Sequence, residues 1–85
     1  MIVVQTHNFT LSQDIIVFNA NNEILTRTKA SMKDLPEVIT QLAETHQQYD
    51  VKLFGSKKFN ENIKEKIQNC YVAKYNIDRL KIQIV

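Results

Sequence analysis

Asp14-Ile15-Ile16-Val17-Phe18 and Glu23-Ile24-Leu25-Thr26-Arg27-Thr28-Lys29-Ala30, joined by Asn19-Ala20-Asn21-Asn22, form the stretch on which the fold turns. The first run is almost continuously apolar and of strand length, the pattern of a strand in mid-sheet with both faces covered. Asparagine tolerates positive φ, so the four linking residues read as a hairpin turn. The second run alternates, with Ile24, Thr26, Thr28 and Ala30 on one face and Leu25, Arg27 and Lys29 on the other. Upstream, Met1-Ile2-Val3-Val4-Gln5 is short and β-branched, and His7-Asn8-Phe9-Thr10 interrupts it with turn formers. The first thirty residues are therefore expected to form a three-stranded antiparallel meander.

Downstream, Asp34 and Glu37 have the spacing of a capping box, and Pro36 falls in the first helical turn, where its missing N–H costs nothing. Leu35, Val38, Ile39, Leu42 and His46 recur at helical spacing and define one buried stripe. A cap at Ser31 would set Pro36 where a donor is needed, so Asp34 is the expected cap. The helix should fade near Gln47-Gln48. Asp50-Val51-Lys52-Leu53-Phe54 reads as a fourth strand, ended by Gly55. Ser56 can cap a second helix whose buried face carries Phe59, Ile63, Ile67 and either Cys70 or Tyr71. Glu61 stands at ion-pair spacing from Lys57 and Lys64, pairs worth a few tenths of a kcal/mol each. Val72-Ala73-Lys74-Tyr75 reads as a short strand or a connector. After a turn at Asn76-Ile77-Asp78, Leu80, Ile82 and Ile84 alternate along a last strand. The order β-β-β-α-β-α-β places the chain in the α/β (α+β) class. Residues 1–85 form a single domain, a mixed five-stranded sheet with helices on one or both faces.

Composition fits this picture. The 85 residues are 44% apolar and 24% charged, globular values that exclude a disordered tail. One glycine and one proline exclude collagen-like and linker sequences, and a single cysteine excludes a disulfide framework or a multi-cysteine zinc module. No apolar run suits a transmembrane helix. The opening Met1–Phe9 lacks the basic region of a secretory signal, so a cytoplasmic protein is expected. The richness in Ile, Asn and Lys suits a low-GC bacterium or its phage. The net charge of +2 divides unevenly, with −2 over residues 1–49 and +4 over residues 50–85. The basic half attracts phosphate mildly but lacks the dense Lys/Arg stripe of most nucleic-acid binders.

The element order resembles the ribonuclease H-like fold over nearly the whole chain, at the level of topology. In members that cut nucleic acid, that resemblance implies metal-holding acids in the first strand, on the first helix and at the end of the fourth strand. Here Ile2-Val3-Val4-Gln5 holds no acid, Asp14 precedes its apolar run, the first helix offers Glu37 and Glu44, and the fourth strand ends Leu53-Phe54-Gly55-Ser56. A two-metal site needs several convergent carboxylates. The resemblance therefore implies a scaffold without the nuclease chemistry, and no enzyme is expected.

The remaining candidates are sparse. Gly55-Ser56-Lys57-Lys58, at a strand-to-helix junction, can hold a phosphate on free N–H groups, or simply form a turn and cap. With Lys64, Lys74 and Arg79, these residues make up the candidate nucleic-acid or phosphate surface, and Tyr71 and Tyr75 beside Lys74 and Arg79 give the only aromatic–basic interleaving. His7, His46 and Cys70 lack metal-ligand spacing, and neither a metal nor a cofactor is expected. Cys70 with His46 lacks a third group for nucleophilic catalysis. Phe18, Phe54 and Phe59 belong to the core by pattern. Asn8-Phe9-Thr10 matches a glycosylation sequon without consequence outside a secretory route. The last strand presents an edge through Leu80, Ile82 and Ile84, and open edges recruit other strands. The expected role is a protein-interaction or assembly module that binds a protein partner or its own copies through a sheet edge or helix face. Nucleic-acid binding is the alternative, and no membrane contact is expected.

Overall fold

Seven elements follow one another in the expected order in the computed structural model, which describes residues 1–7 and 11–85. They are β1 (Ile2–Gln5), β2 (Ser12–Phe18), β3 (Ile24–Ser31), α1 (Leu35–His46), β4 (Asp50–Phe54), α2 (Lys57–Tyr75) and β5 (Lys81–Ile84). The sheet order is β3-β2-β1-β4-β5, with β2 antiparallel to both its neighbours and β1, β4 and β5 mutually parallel. The hairpin closes as the asparagines require. Asn22 takes φ 62°, and Asn19 Oδ1 accepts the N–H groups of Asn21 at 2.9 Å and Glu23 at 3.0 Å.

The chain crosses from β3 through α1 to β4, and from β4 through α2 to β5, moving both times in the same direction along the sheet. Parallel crossovers are right-handed, so both helices land on one face. Ile2, Val4, Ile15, Val17, Val51 and Leu53 point to that face, where Leu35, Ile39, Ala43, Ile63, Ile67 and Tyr71 cover them. The result is one two-layer α+β domain, whose radius of gyration of 11.7 Å matches the roughly 12 Å of a single compact body this long. Among the described residues no helix is long and apolar enough to cross a membrane.

Several local expectations need correction. β2 is covered on one face only: Ile15 and Val17 are fully buried, while Ile16 and Phe18 are half-buried on the other side. Phe18 and Phe54 are therefore not core residues, because strand alternation turns both away from the helices. A bulge at Val17/Phe18 skips Leu25 and pairs Ile24 with Phe18, so Ile24 leaves the face it was expected to share with Thr26. Asp34 stands at the cap position of α1, as expected, and its carbonyl accepts the Val38 N–H at 3.0 Å, but its side chain makes no cap hydrogen bond. It is already helical, at φ −90° and ψ −12°, and its N–H is taken by the Ser31 carbonyl at 3.1 Å and hydroxyl at 3.2 Å. Ser31 thus closes the turn that leads in, and Pro36 is unaffected because the helix proper starts later.

At the start of α2, Ser56 occupies the cap position in extended conformation, but only its carbonyl bonds, accepting the Asn60 N–H at 2.9 Å. Residues 72–75 are neither strand nor connector. They continue α2, the Tyr71 and Tyr75 rings lie 5.0 Å apart, and the helix ends at Asn76 with φ 54°. Tyr71, rather than Cys70, fills the buried position. The sequon Asn8-Phe9-Thr10 lies outside the described residues.

Candidate functional site

The expected basic surface is dispersed. Lys57 and Lys58 open α2 and Lys74 nearly closes it, a separation of about 25 Å at 1.5 Å per residue. At 100° per residue Lys57 and Lys64 share a face, while Lys58 and Lys74 project to either side of it. All four are exposed. Arg79 is engaged within the molecule: its Nη2 lies 2.7 Å from Glu44 Oε1, and its guanidinium stacks 4.4 Å from the centre of the Tyr49 ring. The aromatic–basic interleaving is thus a structural cluster in large part, with Lys74 standing 5.7 Å over the Tyr75 ring.

That cluster ties α1 to α2. The Tyr71 hydroxyl donates to Glu44 Oε1 at 2.7 Å, the same oxygen that receives Arg79. Burial pushes the Tyr71 phenol above its ordinary value of 10.0, and Glu44 pushes it further by accepting from the neutral form. Burial pulls the Arg79 guanidinium down, but Tyr71 and Glu44 outweigh it and hold the group above its usual range. In the unfolded chain Tyr71 ionises near pH 10, whereas in the fold it stays neutral to higher pH, so its contribution is complete below pH 10 and is lost as pH rises through the folded value. Denaturant titrations at rising pH should therefore show a loss of stability above pH 10 that is smaller in Tyr71→Phe. An equal loss in both proteins would remove Tyr71 as its source.

The carboxyl ends of β1 and β4 carry a second polar cluster. The Thr6 Oγ1 lies 2.9 Å from the Phe54 carbonyl and 2.6 Å from Asn60 Oδ1, and the buried Asn60 Nδ2 has no hydrogen-bond partner among the described residues. Nearby, Gln13 is fully buried and clamps the backbone of His7, while His7 Nε2 lies 3.0 Å from Asp14 Oδ2. Lys29 Nζ approaches the other Asp14 oxygen at 3.8 Å. Glu37 is exposed on α1, and Glu44 is held by Tyr71 and Arg79, so these acids are not drawn to Asp14. Among the described residues no three His, Cys, Asp or Glu side chains group to hold a metal ion.

At the edges, Leu80 and Ile82 are buried against the core and Ile84 packs on it half-buried. Contact along β5 would therefore run through its backbone and through Lys81 and Gln83. β3 offers the longer edge, eight residues against four.

The feature that sequence reading missed is the sheet face opposite the helices. Among the described residues no helix or strand lies over it. Register places its side chains in rows: Lys29, Asp14, Gln5 and Phe54 in one, then Arg27, Ile16, Val3 and Lys52, then Ile24 and Phe18. Apolar groups thus run diagonally from Phe18 through Ile16 and Val3 to Phe54. Gln5, Asp14, Ile16, Arg27 and Lys29 border an open hollow of about 450 Å³ on the same face. The signal was present in the sequence, since Ile16, Phe18 and Phe54 each alternate with a core residue; continuous hydrophobicity obscured it. Comparison of the chain with protein-family models, with curated proteins and with solved structures finds no match.

Proposed function

We propose that this chain is a non-catalytic protein-binding module that docks a partner on the uncovered face of its sheet. The proposal includes a ribonuclease H-like scaffold, and the sheet order β3-β2-β1-β4-β5 with two helical crossovers supports it. Fold likeness alone assigns no chemistry. The acids that such a scaffold would use are absent from β1 and from the end of β4, and Glu44 is committed to Tyr71 and Arg79.

One observation carries the binding role: the apolar diagonal Phe18–Ile16–Val3–Phe54 lies half-buried in the middle of a face that the chain's own helices leave open. A contiguous apolar strip rimmed by polar groups marks an interaction surface. Open edges beside it, above all β3, extend the contact that the face begins.

The test is a titration of the isotope-labelled chain with an uncharged amphipathic peptide of about 14 residues, leucine at helical spacing and glutamine elsewhere, long enough for three to four turns. The expected result is a set of amide shifts confined to residues around Val3, Ile16, Lys52 and Phe54. Shifts on the outer face of α2 instead, or none at millimolar peptide, would remove the sheet face as the contact surface.

A further inference from the structure

We infer that the partner on the open sheet face is an acidic amphipathic helix of another protein, seated on Ile16 and Val3 between Arg27 and Lys52. The inference deepens the proposed binding role and rests on it. Register fixes the dimensions. Arg27, Ile16, Val3 and Lys52 are cross-strand neighbours on β3, β2, β1 and β4. Three strand spacings put the backbones of Arg27 and Lys52 about 14 Å apart. A helix with its side chains is about 10–12 Å wide; laid along the oblique Phe18–Phe54 diagonal it has about 12 Å between these two backbones measured across its axis, so the two cations rise along its flanks. From Phe18 to Phe54 the diagonal spans two strand spacings and four residues of strand, about 16 Å, the length of three helical turns. A helix with apolar residues at i, i+4, i+7 and i+11 matches that length.

Charge selects the sign of the partner. The face carries Arg27, Lys29, Lys52 and Lys81 against Asp14 and Asp50. Asp14 is already compensated by Lys29 and faces His7, and Asp50 lies directly across from Lys81. Among the described residues neither Arg27 nor Lys52 has an ion-pair partner. Glutamate or aspartate on both flanks of a docked helix would satisfy them, with complementary charge favouring fast and selective encounter.

The same charges argue against the other occupants. A second copy would bring one cationic face against another, and the apolar stripes of its α1 and α2 are already buried. A nucleic-acid strand would find the two phenyl rings of this face, Phe18 and Phe54, about 16 Å apart with aliphatic Ile16 and Val3 between them, too far for successive bases to stack, and Asp14 and Asp50 among its phosphates.

The experiment uses the intact chain and four probes at low salt: the glutamine peptide above, the same leucine stripe flanked by glutamate, the same stripe flanked by lysine, and a thymine oligonucleotide of about 12 nucleotides, one OB-fold footprint. Calorimetry and amide shifts are read together, for the natural chain and for R27E/K52E. The glutamate peptide should bind about tenfold or more tightly than the lysine peptide and shift the amides of Val3, Ile16 and Lys52. In R27E/K52E the preference should reverse; if that variant misfolds, R27Q/K52Q should abolish the preference while keeping the glutamine peptide. Equal binding of all three peptides at these amides overturns the acidic partner and leaves the contact face standing. No shift there with any peptide overturns both. Displacement of the glutamate peptide by the oligonucleotide, or dimerisation through these residues, assigns the face to a different occupant and overturns the inference.

Discussion

Gly55→Ala is expected to cost the fold roughly 3–5 kcal/mol, combining the strain of a disfavoured backbone conformation with that of an overfilled site. Gly55 sits at φ 126°, where only glycine is at ease. A Cβ there would stand 2.4 Å from Thr6 Oγ1 and 2.8 Å from the Thr6 carbonyl oxygen. Neither atom can yield freely. The carbonyl is backbone at the end of β1, and the hydroxyl is held against Phe54 and Asn60. A domain of this length is held by about 4–13 kcal/mol in total, so this one methyl group endangers folding itself. At about 4–8 °C per kcal/mol, the melting temperature should fall by at least about 12 °C. A fall of less than about 4 °C would mean that the β4–α2 junction relaxes without disturbing β1.

Tyr71→Ala is the second large effect, a loss of about 3–5 kcal/mol by analogy with other buried aromatic truncations. The ring is fully buried between the helices and the sheet, packs 5.0 Å from Tyr75, and its hydroxyl holds Glu44. Tyr71→Phe separates the two parts. It keeps the ring and removes one hydrogen bond to a carboxylate that Arg79 still contacts, so about 1–2 kcal/mol should be lost. Equilibrium denaturation of both variants gives the comparison. If the phenylalanine variant falls as far as the alanine variant, the hydroxyl, and not the packing, is what joins α1 to α2.

Most of the architecture was legible because periodicity encodes it. The alternation from Thr26 to Ala30, the asparagine turn and the single glycine after β4 each specify a local structure with little competition. Of the expected α1 stripe, by contrast, only Leu35 and Ile39 are fully buried, with Thr40 and Ala43 completing the buried face and Val38, Leu42 and His46 lying half-buried beside it. The failures share a cause: local patterns do not state what lies on the far side. Ile15-Ile16-Val17-Phe18 looks the same whether one face is covered or two, and the number of covered faces follows from crossover handedness. Val72-Ala73-Lys74-Tyr75 has a β-branched residue and a tyrosine, which suit a strand, but packing of Tyr75 on Tyr71 extends the helix. Lysines placed along α2 by counting appeared as a group only in one dimension. Buried Thr6, Gln13 and Asn60 were invisible, since polar residues announce burial only once their partners are known.

The strand that comes first in the chain ends up third across the sheet, between β2 and β4. While the meander alone is formed, one flank of β1 has no hydrogen-bonding partner, and Ile2 and Val4 have no lid. Closure waits until α1 has been traversed and Asp50–Phe54 can slot alongside, a distant pairing that must overcome the entropy of a long intervening loop. The unpaired flank of β1 is then an open strand edge, the place where a foreign strand would compete with β4 for the same hydrogen bonds.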